Sequence, residues 1–242
     1  MDLEEKKFRV AEQLLHQSGY TLTELMMASS RYNSSLLMVS DEDNEKCKVL
    51  YNEIKKGELT KGQKGQKLEE LTSILFEKSV ENLFDVYRNC RTSTNEIDLL
   101  IRWTENARLS GINNAFPCFG ESFLAECKNY DGPVSVTFVG KFCSLMSVTN
   151  TNFGIMVSWD GVSGRTKWND SKGLIKKIAL HESKYIIVID KNDLKQICDR
   201  KKNLFSLIYD KYVALKEEID YETYIVKHEA ADCMIGNCRF ND

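Results

Sequence analysis

The most constraining feature of this chain is the order in which helical stripes and short apolar runs follow one another between residues 66 and 217. Leu68, Leu71, Ile74, Leu75 and Val80 make one helical stripe, which predicts a helix over 66–82. Short strands are predicted next at 84–88, 96–103 and 122–129, the second with Ile97, Leu99 and Ile101 on one face. Helix and strand then alternate. Helix 135–148 buries Val136, Val139, Phe142, Cys143 and Met146, and is followed by strand 153–159, helix 168–182, strand 185–190 and a long charged helix over 191–217. Successive strands pair antiparallel, whereas a strand–helix–strand unit needs a parallel crossover. The predicted fold is therefore α/β, a mixed β-sheet flanked by helices. The stretch 104–120, with Pro117 and three asparagines, reads as irregular.

Ahead of this body the first 60 residues read as a small helical module. Phe8, Ala11, Leu14 and Leu15 fall at helical spacing, as do Cys47, Leu50, Tyr51 and Ile54, with Asp41-Glu42-Asp43 as an exposed turn and helix start. The glycine- and lysine-rich stretch 55–65 is the expected linker, so the expected domains are 1–60, a body over 61–218 and an extension over 219–242. The extension could add a strand or bind a partner.

A formal charge of −3 with 42% hydrophobic residues makes wholesale disorder unexpected. It also excludes a purely electrostatic nucleic-acid binder while leaving room for a local basic groove. Apolar runs such as 185–189 fall far short of the roughly 20 residues that cross a bilayer, and the first residues are acidic where a secretion signal is basic. A cytoplasmic protein without membrane contact is expected. The eight cysteines lack framework spacing, which predicts free thiols.

The chemistry is carried by the second and third predicted strands. With a period of two, Glu126 and Lys128 share one face while Phe123, Ala125 and Cys127 take the other. On the preceding strand Asp98 lies opposite the apolar face, beside Glu96 and Leu100. If the strands pair, Asp98 and Glu126 converge. Two carboxylates on rigid strands suit a hard divalent cation such as Mg²⁺, which takes one or two carboxylates together with water and phosphate oxygens. The adjacent lysine can orient or help deprotonate an attacking water and offset charge growing on a phosphate. Glu-x-Lys by itself is a common surface pair. Within hydrophobic strands, however, an inward charge is costly unless it is paired or metal-bound.

Gly65-Gln66-Lys67-Leu68-Glu69, then Asn95-Glu96-Ile97-Asp98-Leu99-Leu100-Ile101, then Phe123-Leu124-Ala125-Glu126-Cys127-Lys128 resemble the PD-(D/E)XK nuclease superfamily and, within it, the Mrr-like restriction endonucleases. The similarity runs over about residues 62–198, including the later strands and helices. The resemblance implies a restriction-endonuclease-like fold and a metal-dependent endonuclease acting on DNA, in restriction or host defence. It further implies that Asp98, Glu126 and the backbone carbonyl of Cys127 hold Mg²⁺, for which Mn²⁺ substitutes, that Lys128 is the catalytic lysine, and that Glu69 completes the pocket. Ile97 stands where the superfamily usually has proline, and the Asp98–Glu126 spacing is longer than usual, which makes 104–120 an inserted loop. Glu77 competes for the helix acid, but Glu69 leaves more room for the helix and first strand.

Lys141, Arg165 and Lys167, with Lys172, are candidate contacts to a phosphate backbone, and Asp199-Arg200-Lys201-Lys202 reads as an exposed helix face. His16, His181 and His228 have no ligand spacing, Cys233 and Cys238 lack a second pair for zinc, and no Gly-Lys-Ser/Thr follows the glycines at 161–164. Double-strand cleavage needs two active sites, so a homodimer is expected, with residues 1–60 selecting the target or a regulatory partner. The alternative is a catalytically silent nuclease-fold subunit that binds nucleic acid or a partner protein.

Overall fold

A computed structural model describes residues 3–21, 23–25, 37–79, 83–91, 96–109, 111–129, 132–164 and 170–224. Five strands form one sheet in the order β1 (Phe84–Arg91), β2 (Glu96–Trp103), β3 (Ser122–Lys128), β4 (Phe153–Ser158) and β5 (Tyr185–Ile189). The β1–β2 and β2–β3 pairs are antiparallel, and the β3–β4 and β4–β5 pairs are parallel. This is the mixed sheet expected from the sequence, with a meander first and crossovers after.

Helices cover both faces. On one face α2 (Asp41–Lys56), α3 (Lys61–Lys78), α7 (Lys191–Cys198) and the first turns of α8 (Leu204–Tyr224) share a core with Phe123, Ala125, Ile155 and Ile187. On the other, α5 (Val136–Val148) and α6 (Asp170–Glu182) pack on Leu124, Met156 and Ile186. Buried from both sides, β4 reads as a continuous apolar run rather than an alternating one. Gly154 on β4 lets α5 approach, since a Cβ there would lie 2.8 Å from Met146 Sδ and the Phe142 ring. Two further helices are α1 (Leu3–Gln17) and the short α4 (Glu105–Leu109). No helix among the described residues is long and apolar enough to cross a membrane.

Several expectations need correction. The linker expected over 55–65 is a tight turn between two helices. Gly57 ends α2 in the left-handed region (φ 78°), and Thr60 caps α3 through a reciprocal bond with Gln63, so Gly62 and Gly65 are helical. Leu3–Gln17 and Asp41–Lys56 are helical, but Cys47, Leu50, Tyr51 and Ile54 of α2 bury in the same core as the sheet, so the boundary at 60 does not separate two cores.

The long helix expected over 191–217 is broken. Asp190 caps α7, and Asn203 accepts the Ser206 N–H at 2.8 Å to start α8. The run 199–202 is thus a connection rather than a helix face, and Arg200, at φ 56°, donates to the Val39 carbonyl and pairs with Asp41 at 2.8 Å.

The stretch 104–120 sends Ala107, Phe116 and Phe119 into the core. After α4 it forms two 3₁₀ turns, Ile112–Ala115 and Pro117–Phe119, that bury Phe116 and Phe119. Their rings join Phe84, Trp103, Phe123, Phe153 and Phe205 in one aromatic cluster. The Trp103 indole N–H donates to Gly120 O at 2.8 Å, so its one polar atom is satisfied.

Finally, the extension expected from 219 begins inside α8, which runs to Tyr224. Residues 225–242, with His228, Cys233 and Cys238, lie outside the described residues.

Candidate active site

The site forms where two strands stop pairing. The β2–β3 register runs from Arg102 opposite Ser122 to Leu99 opposite Ala125. Continued, it would set Ile97 opposite Cys127, but the ladder ends first and the Cys127 N–H that a partner strand would take is unclaimed by backbone. The Asp98 side chain takes it instead, with Oδ2 accepting from Cys127 N at 2.7 Å. A residue in a strand points its N–H and C=O to the same edge, so the Cys127 carbonyl also lies on the β2 side.

Glu126 and Lys128 project from β3 on the face that carries Leu124, as the period-two reading requires. Lys128 Nζ is paired closely with Glu126 Oε1 and lies 3.9 Å from Asp98 Oδ2. Each of these three side chains keeps less than a fifth of its surface exposed. Burial pushes the Glu126 carboxyl above the ordinary carboxylate range; the Asp98 charge pushes the same way, Lys128 opposes, and the Glu69 charge adds to the rise. Glu69 therefore acts on the same carboxyl, from α3 in the layer on the other face. The structure brings Asp98, Glu126 and Lys128 together, while Glu69 stands on α3.

The second Glu126 oxygen, Oε2, is buried with no hydrogen-bond partner. Among the described residues no group of three or more His, Cys, Asp or Glu is gathered as a metal cluster. Mg²⁺ does not require one, because it binds through one or two carboxylates and keeps waters. A buried carboxylate oxygen without a donor, beside a second carboxylate and a strand carbonyl, is a donor set that fits a hard cation and satisfies the orphaned atom.

The other candidates fall elsewhere. Glu77 is held by Ser73 Oγ at 2.8 Å and Arg88 at 3.0 Å, which accounts for its charge within the scaffold. The Cys127 side chain faces the opposite layer, where its Sγ lies 3.5 Å from Thr72 Oγ1. Lys141, on α5, is exposed with Nζ 5.6 Å over the Phe138 ring. Arg165 and Lys167 lie outside the described residues. Asn129, directly after Lys128, has a buried Nδ2 without a hydrogen-bond partner.

The thiols here are structural. Burial pushes Cys47 up to about 12 and Cys118 and Cys198 to about 11, and holds Cys127 well above its usual value. A raised thiol value leaves little thiolate at pH 8, and thiolate is the reactive form. Disulfide-exchange labelling of native protein at pH 8 should therefore be slow at these four positions and fast after unfolding. Rapid labelling of Cys127 in the native state would contradict its burial.

No protein-family model matches the chain, and no curated protein matches it. Among solved structures, the chain is similar to the DNA modification-dependent restriction endonuclease AspBHI, with 14% identity and a TM-score of 0.37. The match covers 78% of this chain and 43% of that chain, so the chain spans less than half the length of the protein it matches.

Proposed function

We propose that the protein is a metal-dependent endonuclease of restriction-endonuclease-like fold, hydrolysing phosphodiester bonds of DNA in restriction or host defence and related to the Mrr-like family. The observation that carries this reading is the pairing of Lys128 with Glu126 and its approach to Asp98 at the point where β2 and β3 part, with Glu126 Oε2 left unsatisfied. A purely structural ion pair has no need of a second carboxylate or an orphaned buried oxygen.

In this reading Asp98, Glu126 and the Cys127 carbonyl hold Mg²⁺ or Mn²⁺. The ion supplies positive charge against the scissile phosphoryl group and acidifies water. The chain does the rest. The Cys127 N–H fixes the Asp98 carboxylate, so one first-contact group is preorganised by backbone. The Lys128 ammonium donates to the attacking water or to a phosphate oxygen and offsets the charge that grows as the P–O bond forms. Glu69 supports the pocket from α3. Lys141, Arg165 and Lys167 are proposed contacts to the DNA backbone, which position the duplex without reading its sequence. A homodimer would supply the second site for double-strand cleavage, and residues 1–60 would meet a target or regulatory partner.

The test is incubation of the purified chain with supercoiled plasmid, linear duplex, single-stranded DNA and RNA, with Mg²⁺, Mn²⁺ or EDTA. Cleavage of DNA that requires the metal is the expected result. Binding of nucleic acid without hydrolysis in either metal would instead support a silent recognition subunit.

A further inference from the structure

We infer that Tyr87 selects the substrate by stacking its ring on an unpaired base next to the scissile phosphate, an inference that rests on the cleavage reading above. Strand alternation sets the face on which this ring stands. Phe84 and Val86 join the core under α3, and Arg88 reaches Glu77 of α3 at 3.0 Å. Tyr87 therefore stands on the opposite face of β1. Its register partner is Leu100, which packs against the layer that holds Leu124. Glu126 and Lys128 project from β3 on that same face.

The strand pair bends just beyond. Arg88 pairs with Leu99 and Cys90 with Ile97, which sets Asn89 opposite Asp98. Asn89 lies in the left-handed region at φ 50°, a conformation that asparagine tolerates better than most residues. Cys90 and Ile97, which strict alternation would turn toward α3, lie in the layer of Leu124 instead. Tyr87 is thus the last side chain that β1 raises on this face before the bend, and it is diagonal to Asp98. Diagonal neighbours across a ladder lie roughly 7–8 Å apart, within reach of an aromatic side chain.

The ring stays outside the core. α5 and α6 pack on Leu124, Met156 and Ile186 of β3 to β5, whereas Tyr87 keeps 46% of its surface exposed. Asp85, Asn89 and Arg102, its neighbours on β1 and β2, are exposed polar residues. A flat aromatic surface in this polar setting, diagonal to one of the acids that hold the cation, is placed to meet the nucleotide bonded to the scissile phosphate. In a matched duplex the faces of each base are covered by the neighbouring pairs. A base that is single-stranded, mismatched or turned out offers a free face, and every base has one. Tyr87 therefore favours an unpaired base without reading its identity.

The test is fluorescence anisotropy of the full chain with a labelled single strand, the same strand in a matched duplex, and that duplex with one central mismatch. Ca²⁺, a hard cation that also takes oxygen ligands, replaces Mg²⁺. The single strand and the mismatched duplex are expected to bind more tightly than the matched duplex. Tyr87→Ala should weaken binding of those two by about tenfold or more, the usual loss of one base–aromatic stack, and leave the matched duplex, held by its backbone, within about twofold. Tyr87→Phe, which keeps the ring and drops the hydroxyl, should bind all three as the parent does. A parent without preference for unpaired DNA overturns the inference, as does a Tyr87→Ala protein that keeps the preference or weakens on all three DNAs alike, or a Tyr87→Phe protein that loses as much as Tyr87→Ala. Tyr87-dependent binding by a chain that cleaves none of the three with Mg²⁺ or Mn²⁺ overturns the hydrolytic reading and supports the base contact.

Discussion

Lys128→Met should lower metal-dependent DNA cleavage by about 10²-fold or more, the range lost with a single group that stabilises transition-state charge. The ammonium lies against both Glu126 and Asp98, and methionine keeps most of its length while removing that charge. Asp98→Asn should have an effect of at least the same order. An asparagine carbonyl can still accept the Cys127 N–H, so the local fold is retained while the negative charge for the cation is lost. Single-turnover cleavage rates would measure both, with urea unfolding of each variant to establish that it is folded. Lys48→Ala, which removes only an exposed pair with Glu45, serves as the control and should cleave at the parental rate. If both site variants keep more than about a tenth of the parental rate, the pair is excluded from the chemistry. EDTA should abolish cleavage by the parent, and Mn²⁺ should restore it.

Phe119→Ala should destabilise the protein by about 3–5 kcal/mol, the usual cost of deleting a fully buried phenylalanine. Against a total of about 5–15 kcal/mol for a folded domain, that is a large share. Phe119 is 2% exposed, and its ring lies 4.8 Å from Phe123, 5.0 Å from Phe153 and 5.8 Å from Phe116. Rigid rings held on separate segments cannot collapse into the space that one of them leaves. Urea denaturation followed by circular dichroism would report the loss as a lower midpoint at unchanged slope. A loss below about 1 kcal/mol, as for a surface substitution, would mean that 112–119 does not belong to the core.

The two expected results bear on parts of the protein that were unequally legible. Strand parity assigned Glu126 and Lys128 to one face and Cys127 to the other, because alternation is a property of the extended backbone itself. The order of apolar runs likewise gave the mixed sheet, because short links between strands favour antiparallel pairing and helical crossovers favour parallel pairing. By contrast, 104–120 read as an irregular inserted loop because of Pro117, its three asparagines and the long Asp98–Glu126 spacing. Phe116 and Phe119 sit on 3₁₀ turns whose burial depends on Phe84, Trp103 and Phe205 arriving from elsewhere in the chain. The glycines and lysines of 55–65 looked like a linker for a similar reason. Their helical state depends on the Thr60–Gln63 cap and on the core that α2 and α3 share.

The sequence by itself determined which residues could meet: local periodicity sets the face of each side chain, and the order of elements sets which strands are neighbours. Only the tertiary structure decided how they meet. The β2–β3 ladder ends at Leu99 and Ala125, the Asp98 carboxylate replaces the missing backbone partner of Cys127, and Glu126 is left with a buried oxygen that nothing satisfies. Where a ladder stops, and which distant side chains enclose a space, depends on packing between segments far apart in sequence, which no local period encodes.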